Sequence, residues 1–383
     1  MCKRIFAIIL GLVLCISMIP SAKAVEVEAP SAILMDLATG TVLFEKNSHA
    51  RLAPASVTKV MTLLLVMEAL ESGRISWEDT VIASETAAAK GGSQVYLEVG
   101  EHMSMDEMLK SVVVSSANDC ATALAEHVAG SEESFVQMMN QRAEELGCVD
   151  TNFVNCTGLD DEENAKEHLT SAHDIAIMSR ALLAHEKIKD YTTIWMDTVR
   201  DGKFGLSNTN KLVRFYDGTT GLKTGYTSTA GHCLSASAKR DGIELIAVVL
   251  NCKSSTDRFQ SAKALLDYGF ANYALVNAQA DEALPTVKVR LGEQASLTPV
   301  LQQSAPILIE KGEQAQVKKT VELCKEITAP VAAGQQLGTL KIETDTRVLA
   351  EIPILAPSKI EKVSVWEMTV RLLRKLCMAA DSE

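Results

Sequence analysis

Apolar positions along this chain change period several times, and each change marks an element. Residues 31–46 carry Ile33, Leu34, Val42 and Phe44 on either side of Ala38-Thr39-Gly40, which predicts two strands joined by a turn. From Pro54, a residue suited to a first helical turn, Val57, Val60, Met61, Leu63, Leu64, Leu65 and Val66 leave almost no polar face. That predicts a helix buried in the middle of a folded unit. Spacings of three and four predict helices over Met105–Val114, Asp119–Val128, Glu132–Leu146 and Ala172–His185. Strands follow over Gly221–Thr227, Gly231–Lys239 and Ile243–Asn251, the last two joined by an Asp241-Gly242 turn. Asp257–Tyr273 returns to a helical pattern. Strands near both ends and helices between them predict an α/β unit, an antiparallel sheet flanked by helices.

Beyond about Ala280 the texture differs. Thr286–Leu291, Ile307–Ile309, Lys319–Cys324, Gly338–Ile342 and Val348–Ile352 are short, β-branched and separated by turn residues. They predict a small all-β, sandwich-like domain. In the last segment, Ser358–Glu383, Ile360, Val363, Trp366, Val370, Leu373 and Leu376 recur every three or four residues. Lys359, Lys362, Arg371, Arg374 and Lys375 lie opposite, so this segment is expected to be an amphipathic helix on a membrane interface. At the other end, Lys3 and Arg4 precede an uncharged run from Ile5 to Ile19 and then Ala22-Lys23-Ala24. Fifteen apolar residues reach about 22 Å as a helix, short of a hydrocarbon core of about 30 Å, so a cleaved signal peptide is expected. The expected organisation is therefore a signal peptide at 1–24, a main domain at 25–278, a β domain at 279–357 and a membrane-associating helix at 358–383.

Composition narrows the class. The 383 residues carry 49 acidic against 37 basic side chains, a net charge of −12, which argues against nucleic acid as a partner. Loss of the leader would remove three basic residues and no acid, taking the charge to −15. Seven cysteines would remain, an odd number with no Cys-x-x-Cys pair, which indicates neither a zinc site nor a full disulfide framework. The seven histidines are scattered without ligand spacing.

Three short motifs carry chemistry. Ser56-Val57-Thr58-Lys59 places a hydroxyl and an amine three residues apart at the start of the buried helix, where they share one face. A serine needs a base to become a nucleophile, and a lysine dried by burial can act as one. A lysine in so apolar a helix is costly unless it is used. Ser116-Ala117-Asn118 places a second hydroxyl and an amide on a turn between helices, where capping the next helix would also explain them. Lys223-Thr224-Gly225 sits on a predicted strand, giving a cation, a hydroxyl and a position where another backbone can come close.

In this order, 60 and then 107 residues apart, the motifs resemble the signature of the penicillin-recognising serine acyl transferases. More narrowly, the chain resembles D-alanyl-D-alanine carboxypeptidases, the low-molecular-mass penicillin-binding proteins. The likeness extends over Pro54–Lys59, Asn155-Cys156-Thr157-Gly158-Leu159, His168–Asp174, Lys223–Thr227, Ala329-Pro330, Gly334-Gln335 and the tail, with Cys156 standing where proline is usual. The resemblance implies that Ser56 attacks the carbonyl between the terminal D-alanines of a peptidoglycan stem peptide, with Lys59 as base and Ser116 as proton relay. It implies substrate contacts from Asn118, Lys223, Thr224, Gly225, the Tyr226 backbone and Arg258, with β-lactam antibiotics as covalent inhibitors and no metal or organic cofactor. An exported enzyme at the outer face of the cytoplasmic membrane follows. A class A-like β-lactamase shares the motifs but needs a Glu-x-x-x-Asn loop, absent between Asn118 and Lys223. A non-catalytic wall-binding protein would not need three intact motifs.

Overall fold

A computed structural model describes residues 25–160 and 164–380; the expected signal peptide lies outside the described residues. The chain opens with antiparallel strands β1 (Ser31–Asp36) and β2 (Val42–Lys46). A 3-10 turn, Ala55–Thr58, then leads into helix α1 (Lys59–Glu71), buried at every position from Lys59 to Leu70 except Glu68. Sequence periodicity anticipated a plain helix here. The tighter entry matters, because a 3-10 turn eclipses side chains at i and i+3.

The short strands β3 (Thr80–Ile82) and β4 (His102–Ser104) pair beside helix α2 (Met105–Val114). A reciprocal capping box between Ser104 and Glu107 fixes the start of α2. Helices α3 (Asn118–Ala129), α4 (Glu132–Glu145) and α5 (Ala172–Leu183) complete the helical side. A hairpin of β5 (Met196–Val199) and β6 (Phe204–Ser207) precedes the long strands β7 (Thr219–Thr227), β8 (Gly231–Arg240) and β9 (Ile243–Cys252). The main sheet runs β2-β1-β9-β8-β7, antiparallel throughout, which leaves β7 on an edge.

This sheet divides two cores. Ile33, Ile246 and Val248 face α1 and its neighbouring helices, whereas Leu34, Leu245 and Val249 face α6 (Ser255–Asn272) on the other side. Burial on both faces explains why β9 reads as a continuous apolar run without alternation. Helix α6 approaches closely at Gly269, where a Cβ would stand 2.4 Å from Leu245 Cδ1 and 3.0 Å from Leu34 Cδ2.

Helix α6 stops at Asn272, one residue before the end its periodicity suggests. Tyr273 instead begins β10 (Tyr273–Val276), which pairs with Ile307–Glu310. Further on, Gln336–Glu343 pairs with Val348–Leu355 and with Lys318–Leu323, and Val287–Arg290 lies between Ser296–Leu297 and Glu326–Thr328. Val276 and Ala278 pack with Leu340, Ile342, Ile352 and Ile354 in one small core, and Val287, Val331 and Ile360 lie in another. The tail differs from its reading as one helix from Ser358. Ile360 and Lys362 bridge to Val331 and Gly292, burying Ile360 and Val363, and helix α7 begins only at Val365 (Val365–Ala380). On it Trp366 is 78% exposed, while Arg371 donates to the carbonyls of Gly292 and Glu293. Among the described residues no helix is long and apolar enough to cross a membrane.

Leu34 is fully buried between the sheet and α6, so Leu34→Ala should cost about 2–5 kcal/mol of stability. Denaturant unfolding followed by far-UV circular dichroism checks this, and a loss below about 1 kcal/mol would contradict the packing.

Candidate active site

Ser56 enters the site from a strained approach. Ala55, a non-glycine residue, sits at φ +48, and the 3-10 turn carries Ser56 and Lys59 to one side. Lys59 Nζ lies 2.9 Å from Ser56 Oγ, 2.6 Å from Asn118 Oδ1 and 2.8 Å from the Thr157 carbonyl oxygen. Lys59 is fully buried. Burial lowers its pKa to about 7, with the Asp119 carboxylate pulling the other way. Asn118 Oδ1 and the Thr157 carbonyl can only accept, so they take two N–H bonds of the neutral amine. Its lone pair is left facing the Ser56 hydroxyl.

Each partner is itself fixed. Asn118 stands at the start of α3, and its Nδ2 donates to the Gly91 carbonyl at 2.7 Å, which turns Oδ1 toward Lys59. Asn155 Oδ1 accepts from the Gly158 N–H at 2.7 Å and the Thr157 N–H at 3.2 Å, and this turn aims the Thr157 carbonyl inward. One turn along α1, Thr62 Oγ1 donates to the Cys156 carbonyl at 2.6 Å and ties the same loop down. Burial raises the Cys156 thiol well above its ordinary pKa, so it stays protonated at neutral pH. Ser116 is buried, at φ +63, two residues before α3 begins.

Across from the serine, β7 presents Lys223, Thr224 and Gly225. Lys223 is buried, its amine donates to the Thr224 carbonyl at 2.9 Å, and burial lowers its pKa further with help from the charges of Lys59 and Arg258. Thr224 Oγ1 donates to Thr209 Oγ1 at 2.7 Å, and the Thr209 N–H donates to the Val114 carbonyl beside the Ser116 turn. A Cβ on Gly225 would stand 2.6 Å from the Pro54 carbonyl oxygen and 3.0 Å from the amide nitrogens of Ser56 and Val57. Glycine is required because β7 presses against the serine turn there. The ring of Tyr226 is 60% exposed and stacks on His232 at 4.3 Å.

Arg258 is neither solvated nor open. It is buried, and its guanidinium donates to the carbonyls of Gly225 (3.0 Å) and Cys233 (3.3 Å), so it braces β7 from behind. The structure thus brings Ser56, Lys59 and Asn118 into direct contact, sets Lys223–Gly225 along the facing strand edge, and anchors that strand through Arg258. Side-chain motifs did not reveal the Thr157 carbonyl, a backbone group, nor Thr209, whose hydroxyl meets Thr224 only in the fold. Among the described residues no cluster of His, Cys, Asp and Glu could hold a metal ion.

A serine hydroxyl against a dehydrated lysine amine, beside the free edge of a sheet, defines a serine hydrolase working by acyl transfer. A family model described as D-alanyl-D-alanine carboxypeptidase matches residues 18–254, and one described as penicillin-binding protein 5, C-terminal domain, matches residues 277–362. The chain is 44% identical over 340 residues to the D-alanyl-D-alanine carboxypeptidase DacF of Bacillus subtilis, covering 88% of this chain and 86% of that one. Penicillin-binding protein 5 of Haemophilus influenzae is similar in structure, with a TM-score of 0.73 and 30% identity, covering 89% of this chain and 100% of that one. Penicillin-binding protein D2 of Listeria monocytogenes, in its ampicillin-bound form, has a TM-score of 0.59 and 28% identity over 64% of this chain and 99% of that one. The chain belongs to the D-alanyl-D-alanine carboxypeptidase family of serine hydrolases.

The contact at Gly225 is with backbone atoms, which cannot swing aside. Gly225→Ala should therefore part the strand from the serine turn and slow acylation by penicillin by about 100-fold or more while melting stays cooperative. Timed labelling with a fluorescent penicillin measures this, and an unchanged rate would contradict the contact.

Proposed function

We propose that the protein removes the terminal D-alanine from peptidoglycan stem pentapeptides through an acyl-enzyme on Ser56, and that penicillins trap the same intermediate. The observation that carries this reading is the buried Lys59 amine, 2.9 Å from Ser56 Oγ and held by two obligate acceptors. The neutral amine takes the hydroxyl proton as Oγ attacks the carbonyl between the two D-alanines. Oxygen charge develops near the Ser56 N–H, with the Tyr226 N–H on β7 as the second donor. Ser116 passes a proton to the departing D-alanine nitrogen, the C–N bond breaks, and water then hydrolyses the ester to regenerate Ser56. Asn118, whose Oδ1 holds Lys59, has an amide nitrogen to offer the substrate.

The substrate's terminal carboxylate meets Lys223 and the Thr224 hydroxyl. Burial first, and then the neighbouring Lys59 and Arg258, depress the Lys223 amine, so an arriving carboxylate restores its charged form. Arg258 contributes to that depression through its position behind β7. A β-lactam mimics the acyl donor but leaves its amine tethered, which supports the same site as the target of penicillin; the ampicillin-bound Listeria relative is in keeping with this.

Export to the outer face of the cytoplasmic membrane is part of the same reading, with peripheral attachment through α7. Val365 is 86% exposed and Leu373 56%, apolar surface next to Trp366 for which a lipid interface is a fitting environment. The protein ending at Ser364, which keeps the Ile360 and Lys362 bridges, should no longer co-sediment with phospholipid vesicles that the longer chain binds. Equal sedimentation of both would overturn the attachment.

Incubation with labelled penicillin should modify Ser56 in a long-lived adduct, and Ser56→Ala should abolish both labelling and D-alanine release from a pentapeptide. A label on another residue, or rapid turnover of penicillin, would overturn the reading. Because Lys59 must be neutral to accept a proton, the acylation rate should climb as pH rises toward about 7 and level off above it. A rate that is flat from acid to neutral pH would contradict Lys59 as the base.

A further inference from the structure

We infer that His168 is a positioning residue for catalysis: acting through Thr58, it fixes the peptide plane between Ala55 and Ser56 and so aims the Ser56 N–H at the developing oxyanion. This rests on Ser56 being the nucleophile. His168 is 3% exposed, next to the bridges that join Leu52 to Thr170 and Asn152 to Leu169. Its Nδ1 lies 3.0 Å from the Val154 nitrogen and 3.4 Å from the Asn155 nitrogen. Both are backbone N–H donors, so Nδ1 carries a lone pair and the ring proton sits on Nε2.

That fixes the direction of everything downstream. Nε2 is 2.8 Å from Thr58 Oγ1 and donates to it; the Thr58 hydroxyl spends its own proton on the Ala55 carbonyl, also at 2.8 Å. Burial, with the nearby charge of Lys59, holds the His168 pKa at about 4, so the ring stays neutral in the working range.

The Ala55 carbonyl and the Ser56 N–H are two ends of one planar trans peptide, so fixing the oxygen fixes the N–H on the opposite side. Ala55 itself is at φ +48, a conformation that persists only where the surroundings over-determine it. Gly158 closes over the same carbonyl, since a Cβ there would overlap the Ala55 oxygen at 1.9 Å. On the far side of the plane, the Ser56 nitrogen faces Gly225 of β7, a Cβ on which would stand 3.0 Å away.

The test uses the full chain with His168→Leu and Thr58→Val, and His168→Gln and Thr58→Ser as conservative replacements. Leu and Val should lower kcat for D-alanine release, and the rate of Ser56 labelling by penicillin, about 10- to 100-fold with KM little changed. Gln keeps an acceptor and a donor, and Ser keeps the hydroxyl, so both should recover most of the rate. Combined His168→Leu and Thr58→Val should be no worse than either alone, because they break one chain of hydrogen bonds. Unaltered rates in a cooperatively melting Thr58→Val protein, additive losses, or a loss expressed in KM alone would overturn the inference. If His168→Leu does not fold, the Thr58 pair decides. A penicillin adduct away from Ser56 would sink the active-site reading itself, whereas normal Ser56 labelling in these variants sinks only the role of His168.

Discussion

An ammonium group taken out of water must be surrounded by oxygens or give up its proton, and Lys59 does some of both. Three oxygens surround it, from the serine turn, from the start of α3 and from the loop ending in Gly158. These segments lie far apart in sequence, so much of the helical side of the protein can be understood as scaffolding that brings them within hydrogen-bond reach of one nitrogen. Burial then supplies the chemistry, because the same dehydration that makes the charge costly leaves an amine able to accept a proton near neutral pH.

The second organising feature is an edge. β7 ends the five-stranded sheet with one side unpaired, and its Lys223–Gly225 stretch lies against the serine turn so closely that a single methyl group would not fit. An extended peptide can add to such an edge with its carbonyl close to Ser56, in the manner of an added strand. Arg258 and Thr209 hold the strand from two directions, the first through the Gly225 carbonyl and the second through the Thr224 hydroxyl. Three basic side chains, Lys59, Lys223 and Arg258, are thereby gathered at one point of a protein whose net charge is −12.

The legible parts of the fold are those where local chemistry and tertiary packing agree. The spacing over Met105–Val114 matched the helix to the residue because a capping box between Ser104 and Glu107 starts it where the amphipathic run begins. β9 was readable because it is apolar on both faces and follows an Asp-Gly turn. Elements with little periodicity were not: β3, β4, β5 and β6 have three or four residues each, with few buried side chains to set a pattern. Tyr273 was taken into the preceding helix because nothing local announces its pairing with Glu310, 37 residues further on. The tail helix starts later than its pattern because Ile360 is claimed by the small β core and the Val363 N–H by the Leu291 carbonyl.

At the site, the sequence by itself determined which functional groups are present and in what order: Ser56 and Lys59 on one turn, Ser116 and Asn118 on the next, Lys223 to Gly225 on a strand. It also determined the family, because those spacings are specific in combination. What only the tertiary structure decided is how the groups are held. The Thr157 carbonyl that grips Lys59 belongs to the backbone, which no motif of side chains can name. Arg258, expected to meet the substrate, donates through Nη1 to two strand carbonyls, a partnership no motif announces. His168 and Thr58 meet across 110 residues, and the direction of their hydrogen bonds follows from which atoms already have donors. Side-chain identity is local, whereas hydrogen-bond partnership and the loss of water are properties of the packed whole.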